Sequence, residues 1–207
     1  MPVIFNKIVL DDIRVVIWKI SETEDEIISL LPNYLKTEVL KFKHPERKKE
    51  FAASRLSVME AGVNDEITCK KSGKPFTKSS FVGISHCDNY ASAIVSKNNN
   101  VAIDIENFDE RILRTAKRFL NQTEKEFCDN NIEKTTLIWS CKEVLFKLYG
   151  KGNVSFKDEI NVKFVNENTL IGEIKNIQNI NLERLYLSDN NNPVVIWCGR
   201  KPDNFME

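Results

Sequence analysis

The chain has 207 residues, 42% of them hydrophobic, and its 30 Lys and Arg balance its 30 Asp and Glu. That length can bury a real core as one large domain or two smaller lobes, and a neutral balance gives no reason to expect a nucleic-acid binder. Charges interrupt every apolar stretch of the opening "MPVIFNKIVLDDIRVVIWKI", so neither a bilayer span nor a signal-peptide layout is predicted there.

In chain order, "IRVVIWKI" (13–20) reads as a strand and "ETEDEIISLLPNYL" as a helix that Pro32 interrupts. A helical pattern runs from Leu35 to Ala61, with "HPERKK" marking a break and a fresh first turn. "CKKSGKPF" reads as a loop, because Gly73 and Pro75 both break regular structure. "FVGISHCD" and "YASAIVS" are predicted strands joined at Asp88-Asn89, and "KNNN" is a second turn. Helices are expected over 109–120, over 123–130 with Thr123 and Glu126 as a capping box, and over 134–149 with Gly150 as C-cap. The remainder is strand-rich. Strand, helices and hairpin recur in both halves, which predicts an α+β fold of two similar α/β lobes related by a pseudo-twofold, 1–100 and 101–207. The five cysteines are widely spaced with no CxxC pair, and only His44 and His86 could join them in a site. That argues against zinc and for reduced thiols in a cytoplasmic protein.

The strand "VAIDIE" sets Asp104 and Glu106 on one face and Val101, Ile103 and Ile105 on the other. The two carboxylates stand roughly 7 Å apart along the strand. They read either as a solvated acidic edge or as ligands for a hard divalent cation. In "TLIWSCKEVLFKLYG", Ile138, Cys141, Leu145 and Leu148 form a core stripe. Trp139, Glu143 and Lys147 share another, where Glu143 and Lys147 read as a surface ion pair or as chemistry. Ser85 and His86 end an apolar strand and point opposite ways, so they are not a nucleophile pair. "KKSGKP" puts Lys70, Lys71 and Lys74 around Gly73 without P-loop spacing, either a flexible basic loop or a phosphate contact.

Taken in order, "SGKP", "ISH", "AIDIE" and "WSCKEVLFKLYGKG" resemble the motifs of the 4'-phosphopantetheinyl transferases that modify carrier proteins, in the larger two-lobed, surfactin-synthetase-activating type. The resemblance covers about residues 35–160. Ala102 stands where the family usually has glycine, and Val144 where it has a small residue. The resemblance implies an active site at the seam between lobes, with Mg²⁺ held by Asp104, Glu106 and Glu143. It implies transfer of the phosphopantetheine arm of coenzyme A to a serine of an apo acyl or peptidyl carrier protein, releasing adenosine 3',5'-bisphosphate. Glu143 is then the candidate base, with Glu106 or a metal-bound water as the alternative, and Lys147 neutralises the pyrophosphate. Lys74, Ser85 and His86 hold the phosphates of the adenosine half. Basic positions of the family's first lobe fall on Leu35 and Glu38 here, so Lys36, Lys41 or Arg55 would substitute.

After the strand, Arg111, Arg114, Lys117 and Arg118 alternate with Ile112, Leu113 and Phe119. This is either a solvated face or a docking surface offering cations and apolar anchors to an acidic carrier. The balanced charge and the lack of an apolar span predict no nucleic acid and no membrane as partners, and two fused lobes imply a monomer. The competing readings are a pyrophosphatase or nuclease using the same carboxylates, and a catalytically silent coenzyme A or carrier-binding module. The resemblance implies an acceptor of fatty acid, polyketide or nonribosomal peptide synthesis.

Overall fold

A computed structural model describes residues 2–69, 73–166, 169–187 and 193–202. β1 (Val3–Leu10) and β2 (Ile13–Lys19) form a hairpin that turns at Asp11, whose φ is 47°. α1 (Glu24–Ser29) starts on a reciprocal capping box between Thr23 and Glu26. As expected, Pro32 separates it from α2 (Asn33–Val39), and Pro45 opens α3 (Pro45–Glu60) at a position where its missing N–H costs nothing. The segment expected to be only a loop carries two two-residue strands, β3 (Thr68–Cys69) and β4 (Pro75–Phe76), paired across it. Lys70 and Lys71 lie outside the described residues. β5 (Phe81–Cys87) and β6 (Tyr90–Ser96) form the predicted hairpin, with Asn89 at φ 63°. β7 (Asn100–Glu106) is the acidic strand.

Two helical expectations are corrected. The helix expected over 109–120 is α4 (Arg111–Thr115) followed by a 3₁₀ turn over Ala116–Arg118. α5 (Gln122–Cys128) is capped by Asn121 and Glu124 rather than by Thr123 and Glu126. Glu124 is fixed there because its carboxylate is also buried against Lys142, while Glu126 accepts from the Gln122 amide. α6 (Ile132–Tyr149) ends on Gly150 at φ 64°, the left-handed cap the sequence predicts. β8 (Ile160–Phe164), β9 (Thr169–Ile174), β10 (Ile177–Leu185) and β11 (Val194–Arg200) complete the chain.

The fold is α+β with two antiparallel sheets, ordered β1-β2-β6-β5-β4-β3 and β7-β11-β10-β9-β8. Their inner faces pack on each other through Ile13, Val15 and Ile17 of β2 against Val101, Ile103 and Ile105 of β7 and Trp197 of β11. α1, α2 and α3 cover the outer face of the first sheet through Ile27, Val39 and Ala53. α6 covers the second through the predicted stripe of Ile138, Cys141, Leu145 and Leu148, all fully buried. No helix among the described residues is long and apolar enough to cross a membrane.

Close approach of the sheets depends on glycine. A Cβ on Gly83 of β5 would lie 2.7 Å from Ile94 Cγ2 and 3.2 Å from the Ala102 Cα of β7. The turn between β6 and β7, which joins the sheets, is tied down by Asp12. Its carboxylate accepts from the Ser96 hydroxyl at 2.7 Å and from the backbone N–H groups of Lys97 and Asn98 at 2.7 and 3.1 Å.

Candidate active site where the sheets and the last helix meet

Alternation along β7 sends Val101, Ile103 and Ile105 into the core between the sheets and turns Asp104 toward α6. Asp104 is only 2% exposed. A buried carboxylate is tolerable only if its charge and lone pairs are satisfied, and three donors do so. The Lys147 ammonium lies 2.6 Å away, the Ser140 hydroxyl 2.6 Å and the Ser85 hydroxyl 2.8 Å. Lys147 also donates to Ser85 Oγ at 3.1 Å. One contact set therefore joins the first sheet, the second sheet and α6. The surface-pair reading of Glu143 and Lys147 fails, because the ion pair of Lys147 runs to the strand rather than along its own helix.

Glu106 accepts from the Trp139 indole N–H at 3.0 Å, and that indole packs between Phe119 and Phe156. Burial first, and then the negative charge of Asp104, push the Glu106 carboxyl up to about 7, against the opposing pull of Trp139 and Lys147. Glu143 is also raised, by burial; Lys147 opposes that shift and Asp104 adds to it. Three carboxylates thus share a poorly solvated space with the Lys147 ammonium.

The chemistry of those three side chains suits the divalent ion that the resemblance implies. Oxygen donors in charge excess suit a hard cation such as Mg²⁺. The geometry is less complete: among the described residues no three His, Cys, Asp or Glu side chains stand where they could hold a metal. Asp104 is turned to Lys147 and the two serines instead.

The other candidates are distributed around this centre. Lys74 donates to Asn100 Oδ1 at 2.6 Å and to the Leu148 carbonyl at 3.2 Å at the end of α6. It lines a cavity of about 230 Å³ together with Gly83, Ala102, Glu143 and Lys147. His86 points away from Ser85 toward α3, its Nδ1 3.4 Å from Glu50, which also pairs with Arg47. Burial holds the imidazole below its ordinary value; Glu50 opposes this, and Arg47 and Lys147 reinforce it. Arg55 lies on α3 with its guanidinium 4.6 Å from the Phe51 ring centre. Leu35 is core, and Lys41 pairs with exposed Glu38 at 2.6 Å.

Beyond Glu106 and Glu143 a groove of about 820 Å³ opens toward Arg111, Ile112 and Arg118. Arg111, Arg114, Lys117 and Arg118 are exposed and Ile112 and Leu113 half-buried. Phe119 is corrected: at 2% exposure it belongs to the core and offers no surface anchor. The sequence reading also left roles unassigned to Ser140, Trp139 and Lys142. The Lys142 ammonium is wholly buried, bonded to Glu124 at 2.7 Å and to the carbonyls of Phe119, Phe156 and Ile160. An internal lysine in a motif dense with charge was the available signal.

Residues 100–198 match the family model of the 4'-phosphopantetheinyl transferase superfamily. The match spans β7 to β11 and so includes Asp104, Glu106, Glu143 and Lys147. Lys74, Ser85, His86 and Arg55 precede it. No curated protein matches the chain. The phosphopantetheinyl transferase match points to a transferase of the phosphopantetheine group.

Proposed function

We propose that the protein transfers the 4'-phosphopantetheine arm of coenzyme A to a serine of an apo acyl or peptidyl carrier protein, with Mg²⁺, releasing adenosine 3',5'-bisphosphate. The observation that carries this reading is the cluster of Asp104, Glu106, Glu143 and Lys147. It lies inside the superfamily match and meets the first sheet through Ser85. The two sheets, drawn from residues 3–96 and 100–200, support the larger two-lobed type with a first lobe that receives coenzyme A.

On this reading Asp104, Glu106 and Glu143 would hold Mg²⁺, which would supply Lewis acidity at the pyrophosphate. Lys147 and Lys74, which share one cavity, place positive charge opposite the phosphates, with Ser85 and His86 toward the adenosine half. Glu143 takes the proton of the incoming serine. A carboxylate bound to Mg²⁺ is a weaker base than a free one, so Glu106 or a metal-bound water is the alternative proton acceptor. The serine oxygen then bonds to the β-phosphorus as the link to the nucleotide breaks, and alignment supplies much of the rate.

Incubation of apo carrier proteins with coenzyme A tests this. The expected result is a mass gain equal to phosphopantetheine that disappears on chelation. Undiminished transfer after exhaustive chelation would remove Mg²⁺ from the reading, and no gain with any carrier would remove the reaction.

A further inference from the structure

The first sheet ends on β1, an eight-residue strand with β2 on one side and no strand of the described residues on the other. The opposite edge is β3, only two residues long. A long open edge presents a row of N–H and C=O groups able to pair with another strand. Its protection is slight. β1 carries one charge, Lys7, and two register shifts against β2 that leave residues 5–8 regular between them. Along the edge runs a groove of about 910 Å³, walled by Leu30 and Met59 from the helical layer and by Tyr186 beyond β10. Ile4 and Ile8 on the strand are 40% and 58% exposed, and Leu30 and Tyr186 are exposed beside them. Apolar surface gathered in one place marks an interaction site.

The strand's own sequence says what covers it. "VIFNKIV" (3–9) is close to a palindrome about Asn6. Laid antiparallel on a copy of itself, Val3 faces Val9, Ile4 faces Ile8, and Phe5 faces Lys7, with Asn6 on the axis. Branched apolar residues then meet one another, and each ammonium meets a phenyl ring, as Lys7 already does within its own chain at 5.7 Å from the Phe5 ring centre. Centring the pair on Lys7 instead would set two ammonium groups face to face. Centring it on Phe5 would put Ile4 opposite Asn6. Only the axis at Asn6 satisfies the whole pattern, and a contact in which residue i meets j while j meets i is what a twofold dimer requires. We propose that β1 pairs antiparallel with β1 of a second copy of this chain about a twofold axis at Asn6, joining the two first sheets into one continuous sheet. The monomer expected from two fused lobes is then the dissociated form. β1 precedes the superfamily match, and Ser85 lies on β5 with β2 and β6 in between, so the dimer is independent of the transferase reading.

Sedimentation equilibrium of the full chain from about 1 to about 200 µM, a range that brackets a micromolar dimer, tests this. The expected result is a reversible monomer–dimer equilibrium. Ile8→Lys should weaken it about tenfold or more, because it sets a charge against Ile4 of the second copy at both ends of the junction. Adding Ile4→Glu to Ile8→Lys in the same chain should recover affinity. The two positions face each other across the axis but stand four residues apart within one strand, too far to pair there. Both side chains are exposed, and unchanged melting temperatures confirm that the variants fold. Amide hydrogen exchange should slow at β1 at the high concentration and not at β3. A monomer throughout the range would overturn the proposal and leave the edge to an extended segment of another protein. A dimer indifferent to Ile8→Lys, or one whose protected amides fall outside β1, would overturn it by placing the contact elsewhere. Weakening by Ile8→Lys that Ile4→Glu does not restore would overturn the axis at Asn6.

Discussion

Lys147 and Glu143 occupy successive turns of one helix, yet their environments make opposite predictions. Lys147 neutralises an Asp104 side chain that is 3% exposed, while its own is 28% exposed. Lys147→Met therefore leaves a buried carboxylate uncompensated and should cost about 1–3 kcal/mol, less than a fully buried pair because water reaches the ammonium. Glu143 is raised by burial, so the fold disfavours its charge. Glu143→Gln should leave the melting temperature unchanged or higher while turnover falls by a factor of about 10² or more. Melting curves beside single-turnover assays separate the two; a destabilised Glu143→Gln with normal turnover would return that residue to a structural role. His86 supplies a pH test. Burial lowers its folded pKa below the ordinary 6.5, so between the two values the unfolded chain binds more protons. Its contribution to stability is thus intact at neutral pH and is lost as pH falls through 6.5 toward the folded value. Denaturation at pH 7.5 and 5.5 should show a smaller acid loss in His86→Gln than in the wild type. Glu50, Arg47, Lys147 and Asp104 all act on this imidazole, so the comparison must be made against that variant rather than against pH alone.

At the scale of elements, Lys142 is the rivet. One wholly buried ammonium joins α6 to Glu124 of α5 and to the carbonyls of Phe119, Phe156 and Ile160. Lys142→Met should cost about 3–5 kcal/mol, and pairing it with Glu124→Gln should cost less than the sum of the two single changes, by about 1–3 kcal/mol. Additive losses in urea melts would show that the two do not act as a unit. The exposed cations of α4 and the following turn give an element-scale test of docking. Arg114→Glu with Lys117→Glu should raise the KM for carrier protein more than that for coenzyme A, and equal effects would move the carrier surface elsewhere. These elements also show what local pattern can carry. Period-two alternation placed Asp104 opposite the β7 core residues, and period 3.6 found the buried stripe of α6, because both are properties of one segment. The partner of Lys147 lies 43 positions away in sequence, so helical spacing pointed to Glu143 instead. The cap of α5 went to Asn121 because Glu124 had a buried lysine to meet, a fact held in another helix. Phe119 read as a surface anchor because the 3₁₀ turn that carries it inward has no distinct signature.

Over the whole molecule, the candidate site depends on how closely the two sheets approach, and two glycines separate that geometry from packing alone. Gly83 and Gly199 both face the space between the sheets. A Cβ on Gly199 would lie 2.2 Å from Ile13 Cδ1, the free end of a side chain, with no backbone atom among its nearest neighbours. Ile13 can turn away, so Gly199→Ala should cost a modest amount of stability and leave turnover near normal. A Cβ on Gly83 meets the Ala102 Cα at 3.2 Å and the Ile103 nitrogen at 3.4 Å, atoms of β7 itself. Backbone cannot rotate aside, so β5 and β7 must separate by a few tenths of an ångström. Ser85 stands two residues beyond Gly83, and Asp104 two beyond Ala102. The same displacement therefore stretches the 2.8 Å bond from Ser85 to Asp104 and the 3.1 Å bond from Lys147 to Ser85. Gly83→Ala should cost about 1–3 kcal/mol, the usual range for overpacking, and lower turnover well beyond what the fraction unfolded explains. The measurement is transfer rate per folded molecule for the two variants, with folded fraction taken from melts at the assay temperature. A rate per folded molecule equal to wild type in Gly83→Ala would mean that Ser85 is not held in register for the chemistry, and that the second sheet with α6 carries the site alone.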